Sequence, residues 1–289
     1  MYDDILLPTD GTTDGTEILD HASEIARWAD ARVRLLYVAD TTRDSVVVAE
    51  GEVVDGLVRH GETLLAEAEA ALDDRGIACE TDVVQGVPAP TIVEYAQQYG
   101  HDLIAMPTHG REGLSRHLLG SVTEKVVRLS PVPVLTTRAR SDEELNFPYE
   151  RVLVPTDGSD AAGRAADHAI ALAGALDAAV HVLSAVETAA LGPDVRSTVS
   201  SAGEETAANE AVEAVVAAAE SAGIDDVTTH VSHGPPDEAI REYVREHDVH
   251  AVVMGTTGRR GVDRILLGSV AEKTVRSAPV PVITVGGGS

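Results

Sequence analysis

Two stretches of this chain carry residue types that hold anions. They are MGTTGRRGVDRILLGS, from Met254 to Ser269, and MPTHGREGLSRHLLGS, from Met106 to Ser121. In the first, Gly255 and Gly258 follow an apolar run. Glycine admits positive φ and lets backbone N–H groups approach an anion with no Cβ in the way. Gly268 and Ser269 then open a helical pattern. The first N–H groups of a helix lack intrahelical partners, and the helix dipole is positive there. Arg259 and Arg260 are the only adjacent basic pair in the chain. Phosphate binding is the chemistry that this spacing suits. A purely structural reading stands beside it, with glycines that shape a turn and Ser269 as a simple helix N-cap. Neither a G-x-x-x-x-G-K-[ST] loop nor a G-x-G-x-x-G fingerprint after the first strand occurs.

The elements that must position these loops are written twice. YDDILLPTDGT (2–12) recurs as YERVLVPTDGS (149–159), and VVQGVPAPTIVEYA (83–96) as VSHGPPDEAIREYV (231–244). LLGSVTEKVVRLSPVPVLTT (118–137) recurs as LLGSVAEKTVRSAPVPVITV (266–285). A repeat this long is a duplicated domain, not a solenoid unit. The polar, proline-closed stretch 139–148 reads as the linker between domains 1–138 and 149–285, with 286–289 as a flexible tail. Within each copy, short apolar runs alternate with patterns of 3.6-residue period. In the first copy DILLPT, RVRLLYV, ACETDVV, DLIAM and VPVLTT read as strands, and the segment between RVRLLYV and the second helix reads as a loop. The order βαβαβαβαβ predicts an α/β fold: two tandem domains, each a mostly parallel five-stranded sheet with helices on both faces.

In such sheets a ligand sits beyond the carboxyl ends of the strands, where the strand order reverses. Three segments of each copy should meet there. One is Pro155, Thr156 and Asp157 after the first strand, with Pro8, Thr9 and Asp10 as counterparts. Another is the second strand's end, at Ala185 and at Val38. The glycine loop is the third.

Composition bounds the partners. The 289 residues include 48 acidic and 22 basic side chains, for a formal net charge of −26. Such a charge disfavours nucleic acid and anionic lipid. Lys125 and Lys273 are the only lysines, and aromatic residues make up 3 %. This balance resembles that of proteins from extremely halophilic archaea, in which molar salt shortens the Debye length to about 3 Å. The single cysteine, Cys79, excludes an intrachain disulfide. With no 18-residue apolar run and no signal-like start, a cytoplasmic location is expected.

The form G-x2-G-x9-G-S at 255–269 resembles the ATP-binding signature of universal stress protein (UspA-type) domains, and ILLPTDG, LLYVAD and SPVPVL resemble that family as well. The resemblance covers almost the whole chain, twice. It implies tandem Rossmann-like domains of the adenine-nucleotide-binding type, and a regulatory protein of the stress response that binds ATP, ADP or AMP; any metal would be Mg²⁺ arriving with the nucleotide, and the residues show no evident general base, so no catalytic residue is assigned. It implies that Asp157 and Asp10 face the ribose, and that Ala185 and Val38 frame the adenine. Met254, Gly255, Gly258, Gly268, Ser269 and Val270 would hold ribose and phosphates, aided by Arg259. In the first copy the matching residues are Met106, Pro107, Gly110, Gly120, Ser121 and Val122. It further implies pairing of the two copies through their last strands, and association of two chains.

Pro107 breaks the signature. It has no N–H to donate, and Glu112 stands where the second copy has Arg260. The expectation is an unequal pair with the stronger site in the second domain. Two alternatives stay open: a slow ATPase or phosphotransferase, and an interaction module that binds no nucleotide. His109 reads as an exposed loop residue. His21 and His168, each preceded by aspartate, read as surface residues of the first helix. Each lysine reads as paired with a nearby carboxylate such as Glu124 or Glu272. No histidine or cysteine cluster has metal spacing.

Overall fold

The structure is a computed structural model of the chain, and it describes residues 1–11, 15–42, 46–49, 52–108, 119–138, 143, 145–186, 195–257 and 267–287. Two compact units emerge, Tyr2–Ala139 and Arg140–Ser289, the latter joined by Met1.

The first unit runs β1 (Asp4–Pro8), α1 (Gly15–Ala29), β2 (Arg32–Asp40), β3 (Val46–Ala49), β4 (Glu52–Asp55), α2 (Gly56–Asp73), β5 (Cys79–Gly86), α3 (Pro88–Tyr99), β6 (Leu103–Pro107), α4 (Ser121–Leu129) and β7 (Val134–Thr137). Its main sheet has the order β5-β2-β1-β6-β7, parallel throughout. The second unit runs β8 (Arg151–Pro155), α5 (Asp160–Leu176), β9 (Ala179–Val186), α6 (Val195–Ser221), β10 (Val227–His233), α7 (Pro236–Glu246), β11 (Ala251–Gly255), α8 (Ser269–Ser277) and β12 (Val282–Val285). Its parallel order is β10-β9-β8-β11-β12. The α/β fold with a parallel sheet is therefore the one the alternation predicts.

Parallel strands covered on both faces must be apolar on both. Ile5, Leu6 and Leu7 are buried without interruption, as are Val152, Leu153 and Val154, and Ala251, Val252, Val253 and Met254. Helix ends follow from local chemistry. Pro88 and Pro236 occupy the first turns of α3 and α7, where a missing N–H costs nothing. Gly100 stops α3 in the left-handed region, at φ 72°.

One expectation fails. The segment after β2 is not a plain loop: β3 and β4 form an antiparallel hairpin, with Val47 opposite Val54 and Val48 opposite Val53. The two valine runs around Glu50-Gly51 carry the strand propensity that this pairing uses.

Candidate functional site

The strand order reverses between β8 and β11, and in the first unit between β1 and β6. The β8–β11 pairing spans only Ala251↔Val152 and Val252↔Leu153. Past that point lie the carboxyl ends of β8 and β11, where sheets of this topology open a ligand crevice.

A fixed turn forms one wall. The Thr156 N–H donates to the Leu183 carbonyl at 2.8 Å, which ties the end of β8 to β9. Gly158 sits at φ 72°, and its N–H donates to Thr156 Oγ1 at 3.2 Å. The Ser159 N–H donates to Asp157 Oδ1 at 3.0 Å, and Ser159 caps α5 by accepting from the Ala162 N–H at 3.2 Å. The first unit repeats the turn. The Thr9 N–H reaches the Leu36 carbonyl at 2.9 Å, Gly11 sits at φ 75°, and its N–H reaches Thr9 Oγ1 at 3.1 Å. Asp157, Asp10, Pro155 and Pro8 are half-buried at these turns. Ala185 and Val38 are half-buried near the ends of the neighbouring strands, in register with Ser232 and Val84.

The opposite wall is the end of β11 and the start of α8. Thr256, buried, donates its N–H to the Val285 carbonyl at 3.2 Å and accepts the Gly268 N–H at 2.8 Å. This pair of bonds brings the start of α8 back to the end of β11. Thr108 does the same for α4, donating to Thr137 at 2.8 Å and accepting from Gly120 at 2.8 Å. Neither threonine was singled out from the sequence, although both stand at one repeat position in a loop rich in turn residues.

The glycines have packing reasons. A Cβ on Gly255 would lie 2.8 Å from the carbonyl carbon and oxygen of Ala161 in α5, and one on Gly268 would lie 3.1 Å from the Thr256 carbonyl oxygen. The serine reading needs correction. Gly268 and Gly120 are the N-caps, and neither contributes a side-chain cap. Ser269 and Ser121 are the first helical residues, and both are exposed. The first intrahelical bond of α8 runs from the Glu272 N–H to the Gly268 carbonyl at 2.9 Å, so the Ser269, Val270 and Ala271 amides precede it. A glycine cap, an exposed serine and half-buried Val270 thus stand at the crevice end of the helix. Met254 and Met106 are buried at the strand ends. The remaining residues predicted for the loops, Gly110, Gly258 and Arg259, lie outside the described residues, as do His109, Glu112 and Arg260.

This crevice, present twice on one topology, has counterparts. The universal stress protein family matches residues 1–138 and again 148–286. The chain belongs to the universal stress protein family. A universal stress protein of Methanocaldococcus jannaschii is 37 % identical over 146 residues, covering 50 % of this chain and 86 % of that protein. One from Mycobacterium tuberculosis is 30 % identical over 219 residues, covering 74 % of this chain and 71 % of that protein. Among solved structures, a universal stress protein from Archaeoglobus fulgidus superposes with a TM-score of 0.75 at 27 % identity, covering 99 % of this chain and 98 % of its own.

The two universal stress domains differ at the residue that ends the strand before the glycine loop. Pro107 ends β6 where Gly255 ends β11, and each pairs with the last strand of its sheet, at Thr137 and at Val285. The Pro107 carbonyl accepts Thr123 Oγ1 at 2.9 Å. Strand alternation turns the amide of this position away from the last strand, toward β1 or β8. The β1–β6 pairing ends at Leu6↔Ile104, so a proline here removes no sheet bond.

Three further expectations resolve. His21 is not at the surface: it is 1 % exposed on the buried face of α1, and burial holds its imidazole down at about 4. His168 is half-buried on α5, and burial likewise depresses it to about 4. The neighbouring aspartates misled because helix direction, not adjacency, decides the face. His21 shares that face with Ile18, Ala22 and Ile25. Lys273 does make an ion pair, though not with Glu272: its Nζ lies 3.1 Å from Asp237 Oδ1 on α7. Among the described residues no group of three or more histidine, cysteine, aspartate or glutamate side chains could hold a metal, and no helix is long and apolar enough to cross a membrane.

Proposed function

We propose that the second domain binds an adenine nucleotide in the crevice between the ends of β8 and β11, and that the chain acts as a nucleotide-responsive regulatory protein of the stress response. The observation that carries this reading is the glycine-capped start of α8, with the exposed Ser269 hydroxyl left out of the cap. An anion placed there meets the Ser269, Val270 and Ala271 amides and the positive end of the helix dipole. Asp157, on its rigid turn, stands at the sugar end of the crevice and Ala185 at the base end. Mg²⁺ would arrive with the nucleotide rather than sit on a protein cluster.

The first domain keeps the turn, the glycine cap and Ser121, but at position 107 it has no amide proton to offer. It is the weaker site or no site. The acidic, lysine-poor surface supports a saline cytoplasm as the working medium.

Calorimetric titration with Mg-ATP in molar salt tests the reading. One nucleotide per chain is expected, lost in Ser269→Ala combined with Gly255→Pro and retained in Ser121→Ala. Two per chain would show that Pro107 does not disable the first site. None, by calorimetry and by absence of thermal stabilisation with ATP, ADP or AMP, would overturn the proposal, since ligand at 100 times Kd adds about 2.7 kcal/mol of stability.

A further inference from the structure

The sheet of the second domain ends at β10, whose seven residues, VTTHVSH, include no aspartate, glutamate, lysine or arginine. Thr228, Thr229 and His230 are exposed. The Val180 N–H donates to the Asp226 carbonyl at 2.9 Å, and the Gly234 N–H to the Val186 carbonyl at 2.9 Å. Alternation along the strand then commits the N–H and C=O groups of Thr228, His230 and Ser232 to β9. It turns those of Val227, Thr229, Val231 and His233 outward, away from the sheet. On the α7 side, the His230 ring lies 5.4 Å from that of Tyr243, whose hydroxyl is 2.9 Å from His181 Nδ1 and whose ring stacks on His247.

An uncharged edge of this kind is a template for another strand, and folded proteins ordinarily blunt it with charge, proline or a bulge. The first domain does so. Its edge strand β5 carries Glu80 and Asp82, both paired with Arg34 of β2. One guanidinium against two carboxylates leaves that edge negative. In contrast β10 has neither charge nor proline, and its register with β9 runs without a bulge, although the chain holds 48 acidic residues.

The strand is also complementary to itself. Antiparallel pairing about a twofold axis through His230 sets Thr229 opposite Val231, and Val227 opposite His233, of a second copy. Every outward N–H and C=O between Val227 and His233 then meets a partner. The acidic residues before the strand stay apart, with Asp226 opposite Gly234 and Asp225 opposite Pro235. At about 3.3 Å per residue the two Asp226 residues lie about 26 Å from each other, beyond the Debye length of about 10 Å in dilute salt. The same axis in the first domain passes through Asp82, which matches His230 in the repeat, and would set one carboxylate directly against its copy. Exposed Glu210 and Glu213 on α6, and the net charge of −26 on each chain, still oppose association in dilute salt; molar salt screens most of that opposition.

We propose that β10 is a docking edge for a second copy of this chain, and that two chains join antiparallel through β10 into one continuous sheet. The partner is the chain itself because the edge, its register and its flanking charges are symmetric about His230, whereas a charged foreign strand would find no opposite charge on β10 to select it. Because β9 stands between β10 and the β8–β11 crevice, the association needs no nucleotide.

Sedimentation velocity of the full chain in molar KCl, over a wide range of concentration, tests this without a ligand. A species of twice the 30.2 kDa chain mass should grow with concentration. Thr229→Pro removes an outward N–H and leaves the β9 ladder intact, so it should sediment as a monomer wherever the wild type dimerises. Thr81→Pro, the matching change on β5, should leave the dimer unchanged. If Thr229→Pro folds poorly by circular dichroism, His230→Asp, which installs the first domain's residue, should weaken the dimer about fivefold or more. Amide exchange locates the contact: Thr229 and Val231 should gain protection as concentration rises, while Thr228 and His230, already bonded to β9, should not change. The proposal would be overturned by a monomer at every concentration, or by a dimer undiminished in a folded Thr229→Pro or His230→Asp variant. Equal loss of the dimer in folded Thr81→Pro, or protection gained elsewhere but not at Thr229 and Val231, would overturn it as well.

Discussion

Removing the two depressed histidines of α1 and α5 should flatten the acid limb of this protein's stability. His21 and His168 occupy one repeat position on α1 and α5, and burial lowers each from an ordinary 6.5 to about 4. A depressed histidine is neutral in the folded state and binds a proton on unfolding. Its stabilising effect is fully present above pH 6.5 and is lost as the pH falls toward 4. Complete loss, below pH 4, amounts to about 3 kcal/mol for each residue at 1.36 kcal/mol per unit. At pH 5.5 the unfolded imidazole is about nine-tenths protonated while the folded one stays neutral, so each contributes about 1.4 kcal/mol of destabilisation relative to pH 7.5. The perturbation is His21→Leu with His168→Leu, which keeps similar volume and removes the titration. Urea denaturation of the wild type and the double variant at both pH values, followed by far-UV circular dichroism in one salt concentration, gives four free energies. Any pH-independent repacking cost cancels in the double difference. The wild type should lose about 2.8 kcal/mol more than the variant if the domains unfold together, and about 1.4 kcal/mol per domain in two separate transitions. A double difference below about 0.5 kcal/mol would mean that neither imidazole is held neutral, and the burial argument would fail.

Other perturbations follow from single contacts. Gly255→Ala forces a Cβ to 2.8 Å from the Ala161 carbonyl, so a loss of about 1–3 kcal/mol is expected in thermal melts without any ligand; an unchanged melt would show that α5 yields freely. Lys273→Ala removes a partly exposed ion pair, and denaturation should register no more than about 1 kcal/mol. Cys79 is pushed up to about 11 by burial and by Glu69 and Asp73, so at pH 7.5 a thiol reagent should label it about 100-fold more slowly than a thiol of ordinary acidity.

The fold was legible because duplication supplied its own alignment and because buried parallel strands read as unbroken apolar runs such as Val152–Val154. The hairpin of β3 and β4 was not, since it interrupts the alternation of strand and helix. The placement of Thr9, Thr156, Asp157 and Gly268 around the crevice followed from the rule that ligands sit at carboxyl strand ends. The serine's role did not, because Gly268-Ser269 offers two candidate caps and only the backbone angles choose between them: Gly268 is extended at φ −63° and ψ 139°, which leaves Ser269 inside the helix. The histidine cluster around Tyr243 was illegible for a different reason. His181, His230 and His247 lie on β9, on β10 and just past the end of α7, and only tertiary packing brings them to Tyr243.

The proline that interrupts the first copy clarifies what the glycine in the second is for. Gly255 is accounted for by its approach to Ala161, and that contact alone would justify glycine in a protein that bound nothing. Close packing concerns the missing Cβ, however, and not the N–H. Pro107 shows that the sheet does not need a donor at this position: β6 runs through it, its last pairing with β1 lies at Ile104, and Thr108 still bonds to Thr137. The Gly255 amide stands in the same relation to β8, past the last pairing at Val252. On the function proposed above, this amide and the three at the start of α8 form the donor set for the anion. The substitution that removes it in the first copy leaves the architecture intact, which is the pattern expected when one half of a duplicated protein keeps its ligand and the other keeps only its fold.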